Sequence, residues 1–237
     1  MQRRVLQLRQ LLLILLLIAQ ASLADPALYR AEYVAEYQGL PVRAKGIREL
    51  SRLEGNRYRL VSTARSILAS VTESTDFEIG DNGLSPLHYS YSRKGLGKNR
   101  DESSRFDWTA GVIEYGDESS PVDPGTLDKL LYQYKLRADV ASAVRDGLSD
   151  LLFEYVIADE EKRKRYQFRI TGEEDLETPL GILRTVRVDR VREDDIRQTS
   201  LWLAIDHEFL LVRLIQTEQQ KGFELNLSSA SINGAPI

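Results

Sequence analysis

Residues 122–147, VDPGTLDKLLYQYKLRADVASAVRDG, are the stretch on which the fold turns. Leu127, Leu130, Leu131 and Tyr134 recur at three- and four-residue spacing and form one apolar stripe on a helix. Asp123 offers an N-terminal cap and Pro124 suits a first turn. Asp128, Lys129 and Lys135 fall on the opposite, polar side. The spacing predicts a helix over about 124–145, with an interruption near Ala138-Asp139 and a short resumption to Arg145.

Outward from this helix, to Leu28 in one direction and Ile232 in the other, the pattern changes to period two. Residues 28–38, LYRAEYVAEYQ, put Tyr29, Ala31, Tyr33, Ala35 and Tyr37 on one face and Arg30, Glu32 and Glu36 on the other. Residues 58–69 align Tyr58, Leu60, Ser62, Ala64, Ser66 and Leu68. Glu54-Gly55-Asn56, Asp81-Asn82-Gly83, Glu193-Asp194-Asp195 and the stretches 39–41 and 219–222 punctuate the runs as turns. About eleven or twelve strands follow, and their short connections favour antiparallel meanders. A lone amphipathic helix must bury its stripe, and the only partner available is sheet. The expected fold is therefore mostly β: a large curved antiparallel sheet, or incomplete barrel, wrapped on a central α-helix. A two-sheet sandwich plugged by the helix is the alternative.

The first 24 residues read as a signal peptide. Arg3, Arg4 and Arg9 flank the start of an apolar core, residues 11–19, and Ser22-Leu23-Ala24 presents small residues before a cut at Asp25. Residues 25–237 would then be a single β-rich domain in the periplasm of a Gram-negative bacterium. The apolar run is short for a span, so no stable membrane anchor is expected after cleavage. The chain has no cysteine, which excludes a lipoprotein-type lipid anchor, thiol chemistry and Cys-ligated metals. Lys and Arg number 32 against 36 Asp and Glu, a balance that argues against nucleic acid as a partner.

Catalytic signals are missing from the sequence. The only histidines, His88 and His207, show no metal-ligand spacing, and no GxSxG elbow is present. Asp206 and Glu208 read as turn groups. The glycine-rich KGLGKNR at 94–100 lacks phosphate-loop spacing and precedes no helix. EEKRKR at 160–165 reads as a solvated hairpin tip, with contact to anionic envelope lipid as the sharper alternative. No catalytic residue, metal or cofactor is expected. What the sequence does offer is eleven tyrosines, whose apolar rings and polar tips suit a half-wet cavity. The candidate pocket comprises Tyr29, Tyr33 and Tyr37, the small residues Ser62, Ala64 and Ser66, Tyr134 from the helix, and Trp202. The same residues also fit a filled core between sheet and helix.

Four segments carry a family resemblance: LYRAEYVAEYQGLPV at 28–42, GLSPLHYSY at 83–91, LDKLLYQYKLR at 127–137 and WLAIDHEFLLVR at 202–213. In order and spacing the chain resembles the exported bacterial family catalogued as domain of unknown function 3108. It departs from that pattern at Lys129-Leu130, where the family often has an Asp-x-Leu-Ser start, and at Leu211, near which the family often has proline. The resemblance implies no reaction. It implies a fold similar to the curved-sheet lipoprotein carriers of the periplasm. The first functional expectation is a non-enzymatic binding or carrier protein for an acyl chain or other hydrophobic envelope component. The second is a structural or assembly protein that binds an envelope protein along a strand edge or at 159–165. The third is an enzyme modifying envelope polymers.

Overall fold

The computed structural model describes residues 25–37, 43–81, 83–95, 97–160, 162–192, 196–218 and 221–237. The expected signal peptide, the turns at 39–41, 193–195 and 219–220, and the tip residues Asn82, Leu96 and Glu161 lie outside the described residues. So does the side chain of Tyr37.

One antiparallel sheet makes up almost all of the molecule. Its first meander runs through β1 (Tyr29–Tyr37), β2 (Arg43–Arg52), β3 (Arg57–Arg65), β4 (Ala69–Gly80), β5 (Gly83–Gly95), β6 (Arg100–Asp107), β7 (Val112–Tyr115) and β8 (Glu118–Pro121). The helix α1 (Leu131–Arg145) follows. The second meander is β9 (Leu152–Asp159), β10 (Lys162–Thr178), β11 (Gly181–Val191), β12 (Arg197–Ala204), β13 (Leu210–Glu218) and β14 (Lys221–Ile232), with the two-residue β15 (Ala235–Pro236) beside β14. The spatial order is β8-β7-β6-β5-β4-β3-β2-β1-β14-β13-β12-β11-β10-β9. The two meanders therefore meet back to back at β1 and β14, where Tyr33 faces Leu227 and Ala35 faces Leu225. The sheet is single, which sets aside the sandwich. The described residues form 15 strands against the eleven or twelve expected; the short β8 and β15, which carry no alternation long enough to read, account for two of the difference.

The ladder does not close into a barrel, and its free edges are β8 and β9. They approach each other through the segment leading to the helix. Leu127 donates to the Val156 carbonyl at 2.9 Å and accepts from the Ala158 N–H at 2.8 Å, a one-residue parallel bridge to the edge of β9. Lys129 extends the seam: its ammonium pairs with Glu102 on β6 and with Asp159 on β9. It also lies over the Tyr89 and Tyr91 rings, 5.3 and 5.8 Å from their centroids.

These contacts correct the expected helix start. Residues 123–130 are not helical, because Gly125 has φ +83° and Leu127 spends its backbone groups on β9. Asp123 is no cap and Pro124 no first turn. The capping group is Asp128, whose Oδ1 accepts the Leu130 and Leu131 N–H groups at 2.8 Å each. Neither Asp128 nor Lys129 lies on a solvated face. Asp128 is 1% exposed, and Lys129 is part-buried in the seam. From Leu131 the helix is unbroken to Arg145, without the interruption expected at Ala138-Asp139. It ends where Leu148 N–H returns to the Ala143 carbonyl at 2.8 Å across Gly147, whose φ of +70° other residues adopt at a cost.

The helix lies on the concave face and presses on both walls. Tyr132 and Tyr134 are two residues apart, so they leave the helix on roughly opposite sides. Tyr134 packs on Phe77 of β4 at 5.4 Å, and Phe77 in turn stacks on Tyr58 of β3. Tyr132 meets Tyr166 edge-on at 5.3 Å and Phe168 at 6.0 Å, both on β10. Leu130 and Leu131, at the start of the helix, are fully buried.

Candidate functional site

A cavity of about 390 Å³ remains between α1 and the concave face, where the packing of helix on sheet stops short. Side-chain size explains its place. Along β3 the inward positions run Tyr58, Leu60, Ser62, Ala64, and across the ladder Ala64 pairs with Gly46 of β2, which pairs with Tyr33 of β1. The first two are closed against aromatic and leucine neighbours. The last two, with Gly46 and Ala35, are too small to reach the helix. A Cβ on Gly46 would already stand 3.4 Å from Tyr33 Cβ and from the Thr63 carbonyl, so the wall there is backbone. The opposite wall is apolar, with Leu201, Leu211, Leu214, Phe223 and Leu225 from β12 to β14 and Phe168 from β10. The helix supplies Tyr132, Gln133 and Leu136.

Two arginines interrupt this lining, Arg48 of β2 and Arg190 of β11. Arg48 donates to the Gln133 side-chain oxygen at 2.5 Å and has no ion pair among the described residues. Arg190 lies flat on the Tyr166 ring, 3.5 Å from its centroid, and its buried Nε has no hydrogen-bond partner. The Thr199 hydroxyl, also in the lining, is buried and unpaired as well. Burial pushes the Tyr132 phenol up to about 12, Tyr166 adds to the rise, and the charges of Arg190 and Arg48 oppose it. Burial likewise holds the Tyr33 phenol protonated, and its hydroxyl donates to the Leu211 carbonyl at 3.0 Å.

Of the residues picked out from the sequence, the structure brings Tyr33, Ser62 and Ala64 together in this lining. Tyr29 and Tyr134 do not line it. They sit in an adjoining recess of about 30 Å³, Tyr29 beneath the Arg137 guanidinium and Tyr134 against Phe77. Ser66 belongs to the β3–β4 turn, where its hydroxyl accepts the Leu68 and Ala69 N–H groups. Trp202 is on the wrong face: Leu201 and Leu203 point inward, so Trp202 points outward. There it lies between Arg187 and Arg213 and donates to Glu174 at 2.5 Å. Arg48, Gln133, Arg190 and Thr199 were not legible as site residues. Arg190 alternates with Val186 and Val188 on one strand face, a polar residue on an apolar stripe, and that was the available signal.

Two other depressions hold groups that already satisfy one another. A recess of about 590 Å³ beside residues 123–127 is lined by Lys135 and Asp139, which pair at 2.5 Å, and by Arg165 and Glu154, which pair at 2.8 Å. Arg163 there donates to Ser120 and to the Pro121 carbonyl. A second, of about 440 Å³, is the charged seam around Lys129. Of the described charges in 160–165, Glu160 and Arg163 reach across to Arg100 of β6 and to β8, while Lys164 and Arg165 pair within the β9–β10 hairpin with Asp159 and Glu154. Neither histidine enters a cluster: exposed His88 meets Ser103 at 3.1 Å, and His207 lies in the β12–β13 turn.

An open, curved antiparallel sheet closed by a helix, with an unfilled apolar cavity on its concave side, defines a β-barrel-like protein. The family described as "Protein of unknown function (DUF3108)" matches residues 29–227, and the chain belongs to it. Among solved structures it is similar to a β-barrel-like protein of domain of unknown function DUF1849 from Brucella abortus. That likeness has a TM-score of 0.58 at 11% identity and covers 87% of this chain and 98% of the other, so it is one of fold. No curated protein matches this chain.

Proposed function

We propose that this chain is a non-enzymatic carrier of the bacterial envelope, exported to the periplasm, which holds a single acyl chain between α1 and its concave sheet. The observation that carries the reading is the cavity of about 390 Å³, apolar on one wall and kept open on the other by Gly46, Ser62 and Ala64. Its size falls in the range of about 300–1,000 Å³ common to small-molecule sites. A filled core would place larger side chains at those positions, as β3 itself does at Tyr58 and Leu60. Export rests on the Arg-flanked apolar segment before Asp25.

Ala64→Trp tests this directly. The indole should occupy the cavity while the protein remains folded, and binding of a fluorescent fatty acyl probe to the delipidated protein should fall by at least tenfold. A folded Ala64→Trp protein that binds the probe as tightly as wild type would place any acyl site elsewhere. A loss of about 1–3 kcal/mol of stability in probe-free protein would instead indicate an overpacked, already filled core.

A further inference from the structure

The proposed acyl site contains more positive charge than its own fold uses. Arg48 and Arg190 arrive from strands on different sides of the β1–β14 junction, yet both line the same cavity. An arginine on an apolar inner face is costly unless its charge is met. On the outer face, by contrast, arginines find carboxylates: Arg59 pairs with Asp76 and Arg213 with Glu224. Arg48 and Arg190 have no carboxylate partner at ion-pair distance among the described residues. The half-buried acid that senses Arg48 is Glu73, which accepts the Tyr89 hydroxyl at 2.6 Å and makes no ion pair with Arg48. The Arg190 guanidinium is held flat by Tyr166, with its Nε unused, and the nearby Thr199 hydroxyl is unused too. The Tyr132 phenol, which makes no hydrogen bond to the described residues, feels both arginines.

Two guanidinium groups with no carboxylate partner, beside an apolar volume, match one kind of occupant. We infer that the cavity takes an amphiphile with an anionic head group, a carboxylate or a phosphate, held by Arg48, Arg190 and the hydroxyls of Tyr132 and Thr199 while its chain lies along the leucine wall. The inference rests on the acyl-chain reading above and adds the head group to it. A guanidinium presents a planar fork of N–H donors that fits both anions. A neutral head group would leave both half-buried charges without a counter-charge.

The test compares dodecanoate, dodecyl phosphate and dodecanol on the delipidated full chain by calorimetry. The three share one chain and differ only in head group. At least one anion should bind about tenfold or more tighter than the alcohol, the ratio expected of a hydrogen-bonded charge. Arg190→Met and Arg48→Met should each shrink that ratio while dodecanol binding holds, and Arg190→Lys should restore part of it. Which anion binds more tightly distinguishes a free fatty acid from a phosphate-bearing lipid. Equal binding of alcohol and anions by wild type overturns the anionic assignment and leaves the acyl site standing, whether or not the variants fold. An anion preference that survives in both folded methionine variants overturns the assignment to these arginines. Binding of none of the three overturns the acyl reading itself, and the head group with it.

Discussion

Asp128 is the most exacting point in the packing of the helix, and its removal should be measurable in two ways. Its side chain is 1% exposed and accepts three hydrogen bonds: the Leu130 and Leu131 N–H groups at 2.8 Å and the Thr75 hydroxyl at 2.5 Å. Asp128→Ala removes the cap, worth about 1 kcal/mol, and strands buried donors at about 1–3 kcal/mol each. Partial relaxation leaves an expected loss of about 3–5 kcal/mol. Asp128→Asn keeps an oxygen for the two N–H groups and turns an amide toward Thr75, whose hydroxyl then accepts. The charge can be followed separately. Burial pushes the Asp128 carboxyl up from 3.8 to about 6, against the hydrogen bonds from Thr75, Leu131 and Leu130, while the nearby Glu73 carboxyl raises it further. The folded state therefore binds this proton more tightly than the unfolded chain. The resulting stabilisation is complete below pH about 4 and is lost as pH rises through about 6. At about 1.4 kcal/mol per pH unit, the interval corresponds to about 3 kcal/mol. Urea denaturation of wild type and Asp128→Asn across that window cancels the titrations that do not couple to Asp128. Asparagine should gain on aspartate by about that amount between acid and neutral pH. Parallel pH curves for the two proteins, or an Asp128→Ala loss under about 1 kcal/mol, would refute this account of the helix start.

Leu130→Ala and Leu131→Ala, at positions with 0% exposure, should each cost about 2–5 kcal/mol in the same denaturation assay. Lys129→Ala should also destabilise, by about 1–3 kcal/mol, because it leaves Glu102 and Asp159 at the seam without their shared cation. Lys129→Arg should recover part of that loss.

Much of the architecture was written in local pattern. The period-two runs at Tyr29–Tyr37 and Arg57–Arg65 are strands, and the inward side of each is the side their apolar residues marked. Leu130 and Leu131 are buried in the core, and Tyr134 packs against it. What was not legible depended on partners distant in the chain. Asp128 and Lys129 look like surface residues in a helical wheel. Only the sheet, which brings Thr75, Glu102 and Asp159 to them, makes one a buried cap and the other a cross-seam cation. Leu127 fits the helical stripe by spacing, yet its backbone bonds to Val156 and ends that stripe early. Trp202 shows the limit of residue type as a guide: its parity on β12 sends it outward, where two arginines cover it. The small face at Ser62 and Ala64 was readable. Its pairing with Arg48, the cross-strand partner of Ser62, and with Arg190 of the far wall was not, because β2 and β11 come to one cavity only through the long-range β1–β14 pairing.

An acyl chain held on the concave face, as proposed, would show its length in a homologous series of saturated fatty acids. Titrated into delipidated protein, each added methylene should tighten binding by about 0.8 kcal/mol, or about fourfold, until the apolar volume is filled. Beyond that length the affinity should level off, and in Ala64→Trp the plateau should come at a shorter chain. A dissociation constant that does not change with chain length, or no saturable binding at any length, would contradict the proposal.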